Sequence, residues 1–438
     1  MNNTSIATRR ELLHRGLTMV GAASTVPAFL QRTALAVAPE EGAMLRSRPG
    51  VPDERVLVIV QMAGGNDGLN TVVPFANDLY YEHRPRLAID RNDVLKINDR
   101  YGFHPVMSGF RELYDDGLLS VVEGVGYPNP NRSHFKSMDV WHTASPDGRE
   151  HTGWIGRYFD NACGGEDACD PKTGVAVMKE APLAMRGKAY QPVAFQRPDA
   201  LSWNGAQAIK GRGRNRRQMR SGAPTEEVFA SLNEPMADHE AMDEVDFLRR
   251  TAMDARLSAA DIQKAARMNS NAEYPGNPLA GALQTVARMI HAEMPTRIYY
   301  VSQGGYDTHS GQLNRHQQLL TQFSGAVKSF VDDLNASGHL DRVTIMTFSE
   351  FGRRVSENAS AGTDHGEAAP MFVIGKHIQP GFHGKACSLE HDKLHRGDLA
   401  WTTDFRRVYG SVLKDWMGAD VPAILGKNVD SLKLFAKV

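Results

Sequence analysis

The sequence predicts an α/β protein built on a mostly parallel mixed sheet covered by helices on both faces. Three observations carry that expectation. Five short apolar runs recur along the chain, stretches of helical periodicity separate them, and polar, metal-competent residues cluster after the ends of the runs.

The first run, Arg55 to Met62 (RVLVIVQM), is continuously apolar rather than alternating, the pattern of a strand buried on both faces. Leu118 to Gly124, Arg297 to Ser302, Arg342 to Phe348 and Met371 to Ile374 follow the same rule. Helices are expected near Val106 to Tyr114, Ser133 to His142, Leu279 to Ala292 and Gln312 to Asn335. Strands alternating with helices argue for parallel neighbours, because a parallel pair needs a crossover long enough to hold a helix. From Thr225 to about Met268 the pattern is helical and charged with few β-branched residues, a helical insertion. Together with the preceding KGRGRNRRQMRSG (residues 210–222, six basic residues and three glycines) it occupies about residues 205–275. That basic stretch reads either as an anion-binding loop or as a solvated flexible one.

The amino terminus reads as an export signal. Arg9 and Arg10 lie in TRRELLHRG, an apolar small-residue run extends from Leu17 to Leu30, and Ala34-Leu35-Ala36 offers a small-x-small cleavage site. Paired arginines with leucines after them resemble the twin-arginine variety, so the twin-arginine export machinery is an expected partner and the periplasm or exterior the expected location. The run is too short and too glycine-rich for a stable membrane span, and no later stretch reaches the length one requires. The expected organisation is therefore a signal over 1–36, a Pro-, Glu- and Arg-rich linker over 37–54 and an α/β domain over 55–438.

A formal net charge of −1 gives no global field favouring nucleic acid. Of the three cysteines, Cys163 and Cys169 flank a glycine- and acid-rich loop and are expected to bridge each other in an oxidising setting, leaving Cys387 over. Metal binding by Cys163 and Cys169 is the alternative, and no second cysteine or histidine pair stands nearby to complete it.

The chemistry-bearing residues follow the strand ends. After the first run comes Gly64-Gly65-Asn66-Asp67, and after the second Asn131-Arg132-Ser133-His134. The third is followed by Gly304-Gly305-Tyr306-Asp307-Thr308-His309, with His316 beyond. The fourth is followed by Ser349-Glu350-Phe351-Gly352-Arg353-Arg354, then Thr363-Asp364-His365-Gly366. In an open α/β sheet such loops converge on one crevice. Asp67, Asp307, His309, Glu350, Asp364 and His365 are the candidate metal ligands. Carboxylates with imidazoles favour a divalent ion, zinc first, with manganese, magnesium or calcium where oxygen dominates. Two such ions can clamp the attacking and leaving oxygens of a phosphate or sulfate ester. Ser133, at a helix start, is the candidate nucleophile, and Arg132 the candidate holder of the ester oxygens. Each has a plainer alternative: Ser133 as an N-cap, His134 as a packed hydrogen-bonded side chain, Arg353 or Arg354 as a structural ion pair. A Ser-His-Asp triad is less attractive, since Asp364 and His365 are adjacent, and no G-x-S-x-G elbow is present.

The motifs GGNDGLNTVVP, PNRSHF, GGYDTH, TFSEFGRR, TDHG and TTDFRRVYGSVLKDWMG, with the twin-arginine start, resemble an exported bacterial family. It is the domain-of-unknown-function family fifteen-oh-one, related to the alkaline phosphatase and sulfatase superfamily. The resemblance spans about residues 55–435. It implies an alkaline-phosphatase-like fold, a two-metal site and hydrolysis of phosphate or sulfate esters. It also implies that Asp67 is the first-strand metal aspartate, Ser133 the nucleophile, Asp307 and His309 one metal pair, Glu350 the second-site carboxylate and His365 the late histidine. The chain departs from the superfamily in three places: Phe351 follows Glu350 where histidine or asparagine is usual, Asp307-x-His309 is shorter than Asp-x-x-x-His so that His316 is an alternative ligand, and the sulfatase C-x-P-x-R sequence is absent. The other readings are a noncatalytic binding or assembly protein that keeps the fold, and a serine esterase using Asn66 and Asp67 in a different role.

Overall fold

The computed structural model describes residues 54–163, 170–198, 260–268, 270, 272–427 and 429–436. The export signal, nearly all of the linker, the basic stretch, most of the helical insertion and Cys169 lie outside the described residues. Cys163 is disulfide-bonded and Cys387 is a free thiol.

All five runs read from the sequence are strands. They are β1 (Val56–Ala63), β2 (Leu119–Gly126), β5 (Ile298–Gly304), β6 (Val343–Phe348) and β7 (Ala369–Ile374). Four shorter strands complete a nine-stranded sheet: β3 (Gly174–Ala176), β4 (Val193–Ala194), β8 (Gly381–Gly384) and β9 (Thr403–Asp404). The order across it is β8-β2-β7-β6-β1-β5-β3-β4, with β9 also on β2. Strand β1 is parallel to both neighbours, and Val56 to Val60 are each no more than 1% exposed, which accounts for the unbroken apolar run. Strand β7 alone runs antiparallel, to β2 and β6. The connection from β6 to β7 contains no helix, so the chain returns antiparallel rather than crossing over.

Helices cover both faces of this mostly parallel, mixed sheet. On one side α1 (Ser108–Asp115) and α5 (Gln312–Ala336), the latter packed on α4 (Pro278–His291), meet the sheet through Phe110, Phe323 and Phe372, with ring centroids 4.9 and 5.1 Å from Phe110. On the other, α2 (His134–Thr143) stacks Trp141 on Phe348 of β6 at 5.3 Å. Helix α3 (Trp154–Ala162) stacks Trp154 on Tyr409 of α6 (Phe405–Ser411) at 4.4 Å. Large buried aromatics lock α2 to the sheet and thereby fix where its first residue, His134, stands. No described helix is long and apolar enough to cross a membrane.

The register aligns the strand ends. Ala63 pairs with Gly304, Gln61 with Phe348, and Val125 with Ala369. The carboxyl ends of β1, β2, β5 and β6 and the amino end of β7 therefore share one edge, where all the candidate loops emerge.

Candidate metal centre

Two glycines let these loops approach each other. Gly64 has φ +119°, and a Cβ there would lie 2.5 Å from the Asp307 backbone nitrogen. Gly65 has φ +78°, and its Cβ would overlap the Phe351 ring. Only a residue without a side chain fits either place.

Arg353 knits the loops together. Its side chain is fully buried and donates to the carbonyls of Gly64, Gly65 (2.7 Å), Tyr306 (2.9 Å) and Thr363 (2.8 Å). It also donates to Asp307 Oδ1 at 2.7 Å. Burial pushes the Asp307 carboxyl up, but the Arg353 hydrogen bond and charge prevail and hold it well below the usual carboxylate range.

Around Asp307 stand three histidines. His309 Nε2 lies 2.9 Å and His365 Nε2 3.0 Å from Asp307 Oδ1, and His134 Nε2 lies 3.5 Å from Asp307 Oδ2. The other ring nitrogen of each has an oxygen partner. His134 Nδ1 donates to Glu350 Oε1 (2.8 Å), His309 Nδ1 to Asp364 Oδ1 (2.9 Å) and His365 Nδ1 to the Arg132 carbonyl (2.7 Å). In a neutral ring whose Nδ1 carries the proton the lone pair sits on Nε2, and here the three Nε2 atoms face one carboxylate. Ligand atoms of His134, Asp307 and His365 all lie within 4.8 Å of one another. The Asp307 and His309 side chains are 46% and 44% exposed, so the cluster is open to solvent.

A family model described as "Protein of unknown function (DUF1501)" matches residues 54–419. The chain belongs to this family. No curated protein matches it in sequence. Among solved structures, it is similar to the lipoteichoic acid synthase LtaP from Listeria monocytogenes, at 9% identity and a TM-score of 0.31 over 81% of this chain and 72% of that one. It is also similar to an alkaline phosphatase superfamily protein from Vibrio parahaemolyticus (9%, TM-score 0.32, 84% and 72% covered). A third similar structure is the C-terminal periplasmic domain of EcEptC from Escherichia coli in complex with Zn (11%, TM-score 0.34, 77% and 77% covered).

In this DUF1501 member the residues singled out from the sequence take distinct places. Asp307, His309 and His365 come together. Glu350 and Asp364 lie one hydrogen bond behind, as acceptors for ring Nδ1 atoms, and Glu350 Oε1 also receives the Gly64 N–H at 2.8 Å. The ring supplying the third Nε2 is His134, which sequence reading treated only as a packed side chain; its position at a helix start beyond β2 was the available signal.

Asp67 makes its polar contacts elsewhere. It is buried and ion-paired to Arg84 at 2.6 Å, and accepts from Gln312. Burial raises its pKa, yet the Arg84 charge and hydrogen bond prevail and lower it. His316, the alternative to His309, is buried beside it with Nε2 3.0 Å from Asn66 Oδ1, and burial lowers its pKa to about 4. Asp67 Oδ1 and His316 Nδ1 have no hydrogen-bond partner among the described residues. The Arg84 charge opposes a second cation there, so the donor set fits one ion at the three histidines better than two.

Ser133 occupies the N-cap position of α2, but its hydroxyl makes no capping bond and the residue is exposed. Its N–H donates to Asn131 Oδ1 at 2.8 Å. Arg132 pairs with Asp398 through its side chain. Arg353 and Arg354 both form ion pairs, with Asp307 and Asp398 respectively.

Proposed function

We propose that this protein is an exported metal-dependent hydrolase of phosphate or sulfate esters. The observation that carries the reading is the convergence of three histidine Nε2 atoms on Asp307, each ring held by an oxygen partner on Nδ1. That pattern orients imidazoles for a cation. His134, His309, His365 and Asp307 would hold a divalent ion, and their nitrogen-rich donor set favours zinc. When bound, such an ion supplies positive charge to an ester oxygen.

The chain's own groups do the rest. Ser133 directly precedes His134, and its exposed, uncapped hydroxyl suits the nucleophile's role. The amino end of α2 presents N–H groups and a positive dipole end toward an anion. Glu350, Asp364 and the Arg132 carbonyl keep the imidazoles in the tautomer that a ligand needs. Arg9 and Arg10 ahead of an apolar run support passage through the twin-arginine route, with the mature chain acting in the periplasm or outside.

Metal analysis of the purified mature protein, with assays on p-nitrophenyl phosphate, its diester and the sulfate, tests this reading. Bound divalent metal and turnover are expected, with Ser133→Ala inactive and still metal-loaded. A protein that takes up no metal and turns over none of the three esters is a binding or assembly protein instead.

A further inference from the structure

Beside the histidine cluster, two arginines share one carboxylate. Asp398 is fully buried; its Oδ2 meets Arg132 and its Oδ1 lies 3.2 Å from Arg354 Nε. Both arginine side chains remain 37% exposed. The neighbouring buried carboxylate, Glu367, is engaged by His395 Nδ1 at 2.6 Å. Asp398 is the one carboxylate that either guanidinium hydrogen-bonds among the described residues, whereas Glu367 and Asp364 act on Arg132 and Arg354 only through space.

The donors are also incompletely used. With described residues as partners, Arg132 makes no side-chain hydrogen bond beyond Asp398, and Arg354 makes one, to the Arg396 carbonyl at 2.8 Å. Each guanidinium thus keeps N–H groups and an outward edge free for a planar or tetrahedral oxyanion. The position is set by the backbone. The Arg132 carbonyl holds His365, and the Arg354 N–H donates to the Asp364 carbonyl at 3.0 Å. Both arginines are therefore anchored to the loops that carry the metal-candidate histidines.

We infer that Arg132 and Arg354, positioned by Asp398, form an anion subsite next to the histidine cluster, and that the substrate carries a second anionic group besides its reacting ester. The inference rests on the ester-hydrolase reading and narrows its substrate class to esters with an additional carboxylate, phosphate or sulfate. Asp398 is a positioning residue: it fixes the spacing of the guanidiniums and touches no ligand.

Calorimetric titration of the zinc-loaded protein with phenylphosphonate and with 3- and 4-carboxyphenylphosphonate tests the subsite without turnover. At least one carboxylated probe should bind about tenfold tighter than phenylphosphonate, the size of one charge-assisted contact. Its advantage should shrink with added salt and vanish in the Arg132→Gln, Arg354→Gln double variant. Asp398→Asn should reduce the advantage while leaving phenylphosphonate affinity unchanged, a split that mere loss of stability does not produce. Equal affinities for all three probes in the wild-type protein overturn the subsite and leave the metal-ester reading standing. An advantage that persists in the double variant also overturns it. No binding of any probe overturns both readings.

Discussion

The Nε2 atoms of His309 and His365 face each other across 2.9 Å, while their Nδ1 atoms are tied to Asp364 and to the Arg132 carbonyl. Two lone pairs at that distance repel unless a proton or a cation lies between them. Zinc at a hundredfold excess over its dissociation constant should therefore stabilise the fold by about 2.7 kcal/mol. Thermal scans with and without a chelator check this, and the increment should vanish in His365→Ala.

Asp364 offers a graded version of the same test. It accepts the His309 Nδ1 proton, and that hydrogen bond, opposed by burial, holds its own carboxyl below the usual range. Asp364→Asn keeps an acceptor and loses the charge, so zinc affinity should fall by about 10- to 100-fold. Competition against a chromogenic chelator reads that change; an unaltered affinity makes Asp364 a bystander.

Arg353 is a buried cation with five acceptors around it. Arg353→Met leaves four carbonyls and the Asp307 carboxylate without it. The expected loss is about 3–5 kcal/mol, measured by urea unfolding. A loss within experimental error would mean the loops are held by something else.

Gly64→Ala should be costly out of proportion to one methyl group. The added carbon meets the Asp307 backbone 2.5 Å away and the φ of +119° is unfavourable for any L side chain. A destabilisation of about 2 kcal/mol or more is expected, with weakened zinc uptake, because the strand-end loops must separate. The same substitution at Gly117, where a Cβ meets nothing within 4 Å although φ is +70°, should cost less.

Acid should destabilise the fold through a buried histidine outside the cluster. Burial pushes the His142 imidazole down to about 4. The unfolded chain takes up this proton first as pH falls below about 6.5, so stability is fully present above that value and is lost toward about 4. The slope from this one group approaches 1.4 kcal/mol per pH unit, roughly, in the middle of that window. His142→Gln should flatten the pH dependence of the urea midpoint between 6.5 and 4.5. His104, lowered to about 4 by burial, keeps part of the slope in that variant.

The five principal strands were legible because each is a continuous apolar run, which a strand buried on both faces requires. The shorter strands were not. β4 and β9 have two residues each and β3 three, and what makes them strands is the ladder offered by a neighbour rather than any pattern of their own. Likewise, the sequence shows that Asp307, His309 and His365 follow strand ends, and register then brings them together. It does not show which of the acidic residues would face an ion. Glu350 meets His134 across 216 positions, and Arg84, which takes up Asp67, lies 17 residues on in a segment with no motif of its own. Sorting carboxylates into ligands, ring holders and ion-pair partners is a tertiary matter.

The Asp67–Arg84 pair bears on the order in which such a protein is assembled. Arg84 also donates to the Val355 and Arg354 carbonyls, joining the first loop to the fourth. This cation is encoded in the chain itself, so no chelator strips it and no shortage of metal delays it. The frame around the histidines can thus close at synthesis, with or without an ion beside it.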